Sequence, residues 1–321
     1  MMKLKLKTIA AAVMAGLSAP VFALNILVSN DDGLTSNLKA LYERLKAEGH
    51  DVIISVPCSG QSGRGAAIVM YSSSTIDATN DSQITSESGC HNGVAPIGAP
   101  SVGPFTKAGF TNGDYHYVHG TPVMATMYGL DILAQQRWGK APDLVISGPN
   151  EGQNVGHIIV SSGTVSNAQF AASRGIPAIA LSAGTDTVDN SALANPNSAI
   201  VADLSITLLR ELEYKAQKYG GALLPGSIAL NVNFPNAVTA TTPFVPTRVG
   251  SFDLYNLKFV TSPYIGLGYT LNDPRAATAA QANDESVVVA NHKIAVTPMQ
   301  VGYEAIYGAQ VLMSNYLDGL F

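Results

Sequence analysis

The chain has 321 residues, 46% of them apolar and 13% charged, with 18 basic against 23 acidic side chains and a formal charge of −5 at pH 7. That length and composition allow a full buried core, in one large domain or one domain plus a small extension. The acidic balance argues against a nucleic-acid polymer or an anionic membrane as the main partner.

Residues 1–23 read as a secretory signal: lysines at 3, 5 and 7, an apolar run from Ile9 to Leu17, and small residues before a cleavage expected after Ala23. The run is too short for a membrane span of about 20 residues, leaving a retained anchor as the lesser alternative. Removing 23 of the 321 residues leaves 298, and the loss of three lysines and no acid moves the formal charge to −8. The expectation is an exported protein, periplasmic or secreted, with one α/β domain over 24–321 and no membrane attachment after cleavage.

Ile26 to Ser29 reads as a strand, Leu38, Leu41 and Leu45 mark the apolar stripe of a helix ending at Gly49, and Val52 to Val56 is a second strand. The same alternation returns with a helix from Pro122 to about Gln136 before the strand Asp143 to Ser147. A helix through Val165, Ala168 and Ala172 then precedes the strand Ile176 to Ser182. Short apolar strands separated by helices imply a mostly parallel sheet covered on both faces. Tyr71 to Asn112 is rich in Ser, Thr, Asn and Gly and reads as strand edges plus a long surface excursion. Asn197 to Tyr219 reads as a helix and Ser227 to Pro235 as a strand. The segment of about 240–283 reads as a β-hairpin extension, Val287 to Met299 as an alternating strand pair, and 302–320 as a terminal helix.

Asp31 and Asp32 follow the first strand directly. Successive strand side chains point to opposite faces, so two adjacent carboxylates converge only where the strand has ended, and Gly33 gives the backbone freedom for that turn. Two readings are open: the pair caps a turn and the following helix, or a cation lies between the charges and makes their proximity tolerable. Ser62 and Asn150 end two further strand-to-loop transitions beyond the carboxyl ends of the strands, where such sheets collect ligands. Two carboxylates, a hydroxyl and a carboxamide make a hard oxygen set suited to Mg²⁺, Mn²⁺ or Ca²⁺. The six histidines are scattered and form no zinc pattern. Ser162, Gly163 and Thr164 open a helix, which is either an ordinary N-cap or an anion site. Cys58 and Cys90 both lie in the exported part, where an oxidising compartment permits a disulfide; two free thiols are the alternative.

Seven blocks in order, SNDDG, VPCSGQSG, HGTPVMA, PDLVISGPNEGQNVG, SSGTVSNAQFAASRGIPAIALS, LNVNFP and NDESVVVANHKIAVTPM, resemble those of the SurE (survival protein E) family of metal-dependent nucleotidases and acid phosphatases. The resemblance implies a Rossmann-like, three-layer α/β/α fold with a mostly parallel sheet, and hydrolysis of nucleoside 5′- and 3′-monophosphates or other small phosphomonoesters. It implies one divalent metal per subunit on Asp31, Asp32, Ser62 and Asn150, and a phosphate pocket of Asn154, Ser162, Gly163 and Thr164, with Asn30 supporting the first aspartate. The catalytic set is then Asp31, Asp32 and Asn154. A metal-activated water attacks phosphorus and Asp31 takes its proton, with a phosphoaspartate as the variant. Homodimers or homotetramers that exchange C-terminal segments are implied as well. This sequence departs from the family pattern at Cys58, Pro149, His157-Ile158 and Ser161, which alters the pocket wall while leaving the four metal positions intact. A broad-specificity exported acid phosphatase or exopolyphosphatase, and a catalytically silent metal- and phosphate-binding protein, are the competing readings.

Overall fold

A computed structural model describes residues 23–69, 74–77, 89–261 and 265–320. The signal segment therefore lies outside the described residues, apart from Ala23.

Strand β1 (Asn25–Ser29) leads into helix α1 (Ser36–Ala47), capped by Thr35, whose hydroxyl accepts from the Leu38 N–H at 3.1 Å. Strand β2 (Asp51–Pro57) follows, then the short strands β3 (Val102–Pro104) and β4 (Tyr115–Val118). The stretch Pro122–Trp138 winds continuously as α2 (Pro122–Tyr128), a π-helical turn (Gly129–Leu133) and α3 (Ala134–Trp138). Then come β5 (Leu144–Glu151), α4 (Gly163–Ser173), β6 (Ala178–Ala183), α5 (Pro196–Tyr219) and β7 (Ile228–Asn233). The last part of the chain holds β8 (Phe244–Pro246), β9 (Tyr255–Thr261), β10 (Ile265–Leu271), α6 (Glu285–Ala290), β11 (Ile294–Gln300) and α7 (Tyr307–Tyr316).

Nine strands form one sheet in the order β3-β4-β2-β1-β5-β6-β7-β11-β8, of which the six from β4 to β7 run parallel. Alternation along β1 supplies both faces: Ile26 and Val28 pack toward α1 and α5, while Leu27 packs toward α2 and α4. Each such fully buried side chain contributes about 1.5–3 kcal/mol. The result is the expected three-layer α/β/α arrangement. After β1 the chain builds outward to β2 and β4 and then returns to place β5 on the other side of β1, so the strand order reverses between β1 and β5. Ser29 and Ser147 face each other across that reversal, and the space above their carboxyl ends is where an open α/β sheet binds its ligand.

Three expectations change. Val287 to Met299 is not a strand pair: Glu285–Ala290 is helical and only Ile294–Gln300 is a strand. Valine favours strands locally, but Val288 and Val289 pack with Val155 and Ala295, and this tertiary burial overrides the local preference. Strand β5 runs past Ser147 to Glu151 with a register irregularity between Ser147 and Asn150, so Asn150 stands on a bulged strand rather than a free loop. The terminal helix is shorter than 302–320, with α7 followed by a 3₁₀ turn at Asp318–Leu320. The hairpin at 240–283 is present as antiparallel β9 and β10. Of the excursion at 71–112, the described part contains β3, a 3₁₀ turn (His91–Gly93) and a bridge between Thr75 and Pro100, and the rest lies outside the described residues. No helix among the described residues is long and apolar enough to cross a membrane.

Candidate functional site

The turn after β1 is closed by Asn30. Its Oδ1 accepts from the Gly33 N–H at 3.0 Å and its Nδ2 donates to the Gly33 carbonyl at 2.7 Å. Gly33 has φ +79°, and a Cβ there would lie 3.0 Å from the Pro57 carbonyl oxygen, so the turn requires glycine. Asn30 thus shapes the turn that carries the first aspartate, and its own carbonyl accepts from Asn167 Nδ2 at 3.2 Å.

Within this turn Asp31 points to the start of α4. Thr164 Oγ1 donates to Asp31 Oδ1 at 2.6 Å, and the Gly163 N–H adds a backbone hydrogen bond. A Cβ on Gly163 would lie 2.7 Å from Asp31 Cβ and 2.9 Å from its Oδ2. Glycine is therefore what lets the carboxylate seat on the positive end of the helix. Ser162 caps α4, its Oγ accepting from the Val165 N–H at 3.1 Å. The Ser162–Thr164 turn and the first aspartate form one unit.

Asp32 turns toward β5, where its Oδ2 accepts from the Glu151 N–H at 3.1 Å. Burial holds the Asp32 carboxyl well above the usual carboxylate range, and the charges of Asp31 and Glu151 push it further the same way. Burial raises Asp31 too, against hydrogen bonds from Thr164 and Gly163 that lower it. Glu151, a third carboxylate that the sequence reading passed over, is raised by burial while Asn190 holds it. One buried and two half-buried acids whose charges oppose one another at Asp32 are unfavourable without positive charge.

The neutral donors fit that requirement. Asn150 Nδ2 donates to the Gly152 carbonyl at 2.8 Å, which leaves Asn150 Oδ1 buried with no hydrogen-bond partner. A buried carboxamide oxygen without a donor beside an acid pair is what a hard cation would satisfy. Ser62 is exposed on the loop after β2, and that loop is fastened to the turn by the Gln61 N–H, which donates to the Asp31 carbonyl at 2.7 Å. Among the described residues no group of three or more His, Cys, Asp or Glu is positioned to hold a metal. Asp31, Asp32, Ser62 and Asn150 offer two carboxylates and two neutral oxygens, donor types that suit Mg²⁺, Mn²⁺ or Ca²⁺ better than zinc.

Asn154, four residues beyond Asn150 in the chain, is buried. Its Nδ2 donates to Ser182 Oγ at 2.9 Å, its N–H to Asn233 Oδ1 at 2.8 Å, and its carbonyl accepts from Asn231 and Asn233 at 2.9 and 3.0 Å. Asn231 also donates to Glu285 Oε2 at 3.0 Å, and Glu285 Oε1 accepts from the Gly156 N–H at 3.0 Å. Sequence reasoning missed this scaffold. Its one local signal is the pair of polar residues at 231 and 233, two apart on a buried strand and therefore on one face. His157, at one of the departures noted above, turns to the extension, with Nδ1 2.6 Å from Asp253 Oδ2.

Cys58 and Cys90 are joined by a disulfide. The bridge seats the next two residues over the acidic turn: Asn92 Nδ2 donates to the Leu34 carbonyl at 2.7 Å, and His91 Nδ1 lies 3.4 Å from the Asp32 carbonyl. An apolar cleft lined by Leu208, Phe244, Val245, Pro246 and Val296 lies at the β8 edge of the sheet, away from the acids, and brings none of these groups together.

Comparison with known proteins gives a consistent result. The family model described as survival protein SurE matches residues 26–254. An acid phosphatase from Yarrowia lipolytica is 35% identical over 220 residues, which span 65% of this chain and 56% of that protein. A 5′-nucleotidase SurE from Solidesulfovibrio magneticus is 33% identical over 74% of this chain and 75% of its own length. A 5′/3′-nucleotidase SurE from Yersinia enterocolitica is 27% identical over 92% of this chain and 99% of its own. The crystal structure of a SurE protein from Aquifex aeolicus superposes with a TM-score of 0.64 at 23% identity, over 92% of this chain and 99% of that one, a likeness of fold.

Proposed function

The chain belongs to the survival protein SurE family, and from that premise we propose that it is a divalent-metal-dependent phosphomonoesterase acting on nucleoside 5′- and 3′-monophosphates. The observation that carries this reading is the acid pair at the β1/β5 reversal, braced by the start of α4 and set beside the partnerless Asn150 oxygen. Asp31, Asp32, Ser62 and Asn150 would hold the cation. When bound, it supplies Lewis-acid charge to the phosphoryl group and makes water a better nucleophile near neutral pH. Thr164 and Gly163 fix the Asp31 carboxylate, which serves as proton acceptor for the attacking water. The backbone at Ser162 to Thr164 and the Asn154 carboxamide flank the phosphoryl group and stabilise its charge. Asn231, Asn233 and Ser182 hold Asn154 in one orientation, so little reorganisation accompanies the reaction.

The test is phosphate release from nucleoside 5′- and 3′-monophosphates, p-nitrophenyl phosphate and short polyphosphate, each with Mg²⁺, Mn²⁺ or Ca²⁺ and with chelator. Activity that survives exhaustive chelation, or no release with any cation, overturns the proposal. Asp31→Asn is expected to abolish turnover while leaving the unfolding midpoint within a few degrees. The 35% identity to an acid phosphatase favours a second reading of the same site, a broad-specificity acid phosphatase, and equal rates on aryl and nucleoside esters would select it.

Export is part of this proposal, supported by the lysine-rich and apolar segment 1–23 and by the Cys58–Cys90 bridge. A mature N-terminus at Leu24 in the exported fraction is the expected finding. Self-association as a homodimer or homotetramer is supported by apolar side chains on β9–β10 and α7, with Phe259 75%, Leu267 69%, Tyr307 80% and Tyr316 79% exposed. Light scattering of the full chain and of a chain ending before α7 tests it.

A further inference from the structure

We propose that Arg64 is a substrate-binding residue whose guanidinium holds the phosphate group at the mouth of the site. This rests on the phosphomonoesterase reading above and adds a contact outside the four metal positions and the Asn154 and Ser162–Thr164 pocket.

Arg64 lies two residues beyond Ser62, on a loop whose backbone is tied at both ends to the site. At one end the Gln61 N–H donates to the Asp31 carbonyl at 2.7 Å, and the Arg64 N–H donates back to the Gln61 carbonyl at 3.2 Å. At the other end the Gly65 N–H donates to the Ser161 carbonyl at 3.0 Å, immediately before the Ser162 cap. Gly65 has φ +53°, and a Cβ there would lie 3.3 Å from the Val160 carbonyl oxygen, so glycine permits the close approach. The segment reads Ser62, Gly63, Arg64, Gly65, Ala66, and Arg64 is its one long side chain. An arginine rooted between the Asp31 turn and the start of α4 is within one side-chain length of a phosphate lying over both.

Of the seven arginines in the chain, Arg44, Arg137, Arg174, Arg210, Arg248 and Arg275 each pair with a carboxylate. Arg64 is exposed and makes no ion pair among the described residues. None of the ion pairs among those residues involves Asp31, Asp32 or Glu151. A divalent cation neutralises two of those three acids, and a phosphomonoester dianion must then enter a field that is still negative. An unpaired guanidinium at the entrance offsets that field, and its planar fork matches two phosphate oxygens at once. The same geometry favours a terminal phosphomonoester, which presents free oxygens and two charges, over a diester with one.

The experiment uses the full mature protein loaded with Mn²⁺ and inorganic phosphate as the probe. Calorimetric titration of phosphate into wild type, Arg64→Ala, Arg64→Lys and the surface control Arg174→Ala reads binding without turnover. Arg64→Ala is expected to weaken phosphate about tenfold, the size implied by losing one charge-assisted contact, and to raise KM by more than it lowers kcat. Arg64→Lys keeps charge without the fork and should fall between, with a steeper loss at 0.5 M salt, while Arg174→Ala should match wild type. Equal phosphate affinity in wild type and Arg64→Ala, with circular dichroism unchanged, overturns the proposal, as does an equal loss in Arg174→Ala. If wild type cleaves no ester, the reading of the site fails, and the phosphate titration still decides whether Arg64 binds the anion.

Discussion

Glu285 offers a direct test of how the site's scaffold is held. It is fully buried, with Oε1 accepting from Gly156 and Oε2 accepting from Asn231 and, at 2.7 Å, from Thr297. Burial raises its carboxyl, the three hydrogen bonds pull against that, the neighbouring Asp284 adds a smaller upward push, and the net effect carries it from the ordinary 4.5 up to about 7. A folded-state value above the unfolded one means the native protein holds a proton that the unfolded chain has lost. The corresponding stability is fully present below about pH 4.5 and is lost as the pH rises through about 7. At ~1.4 kcal/mol per pH unit the displacement is worth about 3 kcal/mol. Glu285→Gln removes this dependence, although its amide NH₂ then faces one of the donors and lowers stability at every pH by about 1–3 kcal/mol. Urea unfolding of both proteins from pH 4.5 to 8, at fixed cation concentration, gives the difference between their curves. The wild type should lose about 3 kcal/mol relative to the variant across that window. Parallel curves, with a constant offset, would refute the argument that Glu285 is a buried carboxyl titrating near neutrality.

Further outcomes follow from the acid turn. Because burial, Asp31 and Glu151 hold the Asp32 carboxyl well above its ordinary range, cation binding should release protons and the apparent affinity should rise with pH. Calorimetry in buffers of different ionisation enthalpy measures this, and no proton release at pH 6 would contradict it. Gly163→Ala drives a methyl against Asp31 and against Pro122 Cγ at 2.8 Å, so we expect loss of cation binding and about 1–3 kcal/mol of destabilisation. Wild-type cation affinity in that variant would show that Asp31 is not seated by the start of α4. Opening the Cys58–Cys90 bridge, which spans 32 residues, should destabilise by about 3–4 kcal/mol and weaken cation binding through the His91–Asn92 contacts to the acidic turn; an unchanged affinity after reduction would separate the bridge from the site.

The local sequence determined the pieces that depend on periodicity and on residue type. The short apolar run of β1 and the stripe of α1 identified a strand and a helix, and adjacent acids before Gly33 required a turn. The SGT stretch opened a helix as its composition implied. What it left open was partnership, because hydrogen bonds between residues far apart in the chain leave no local pattern. Asp31 meets Thr164 across 133 positions, and Asn154 is held by Asn231 and Asn233 across 77 and 79. The cation site proposed for the acid pair rests on such contacts, through Glu151 and the partnerless oxygen of Asn150. Val287 to Val289 mark the same boundary from the side of the fold. Three valines in a row favour a strand by themselves, but they lie in a helix in which Val288 and Val289 are buried against Val155 and Ala295, because packing free energy exceeds the few tenths of a kcal/mol by which one residue's backbone preference usually differs from another's.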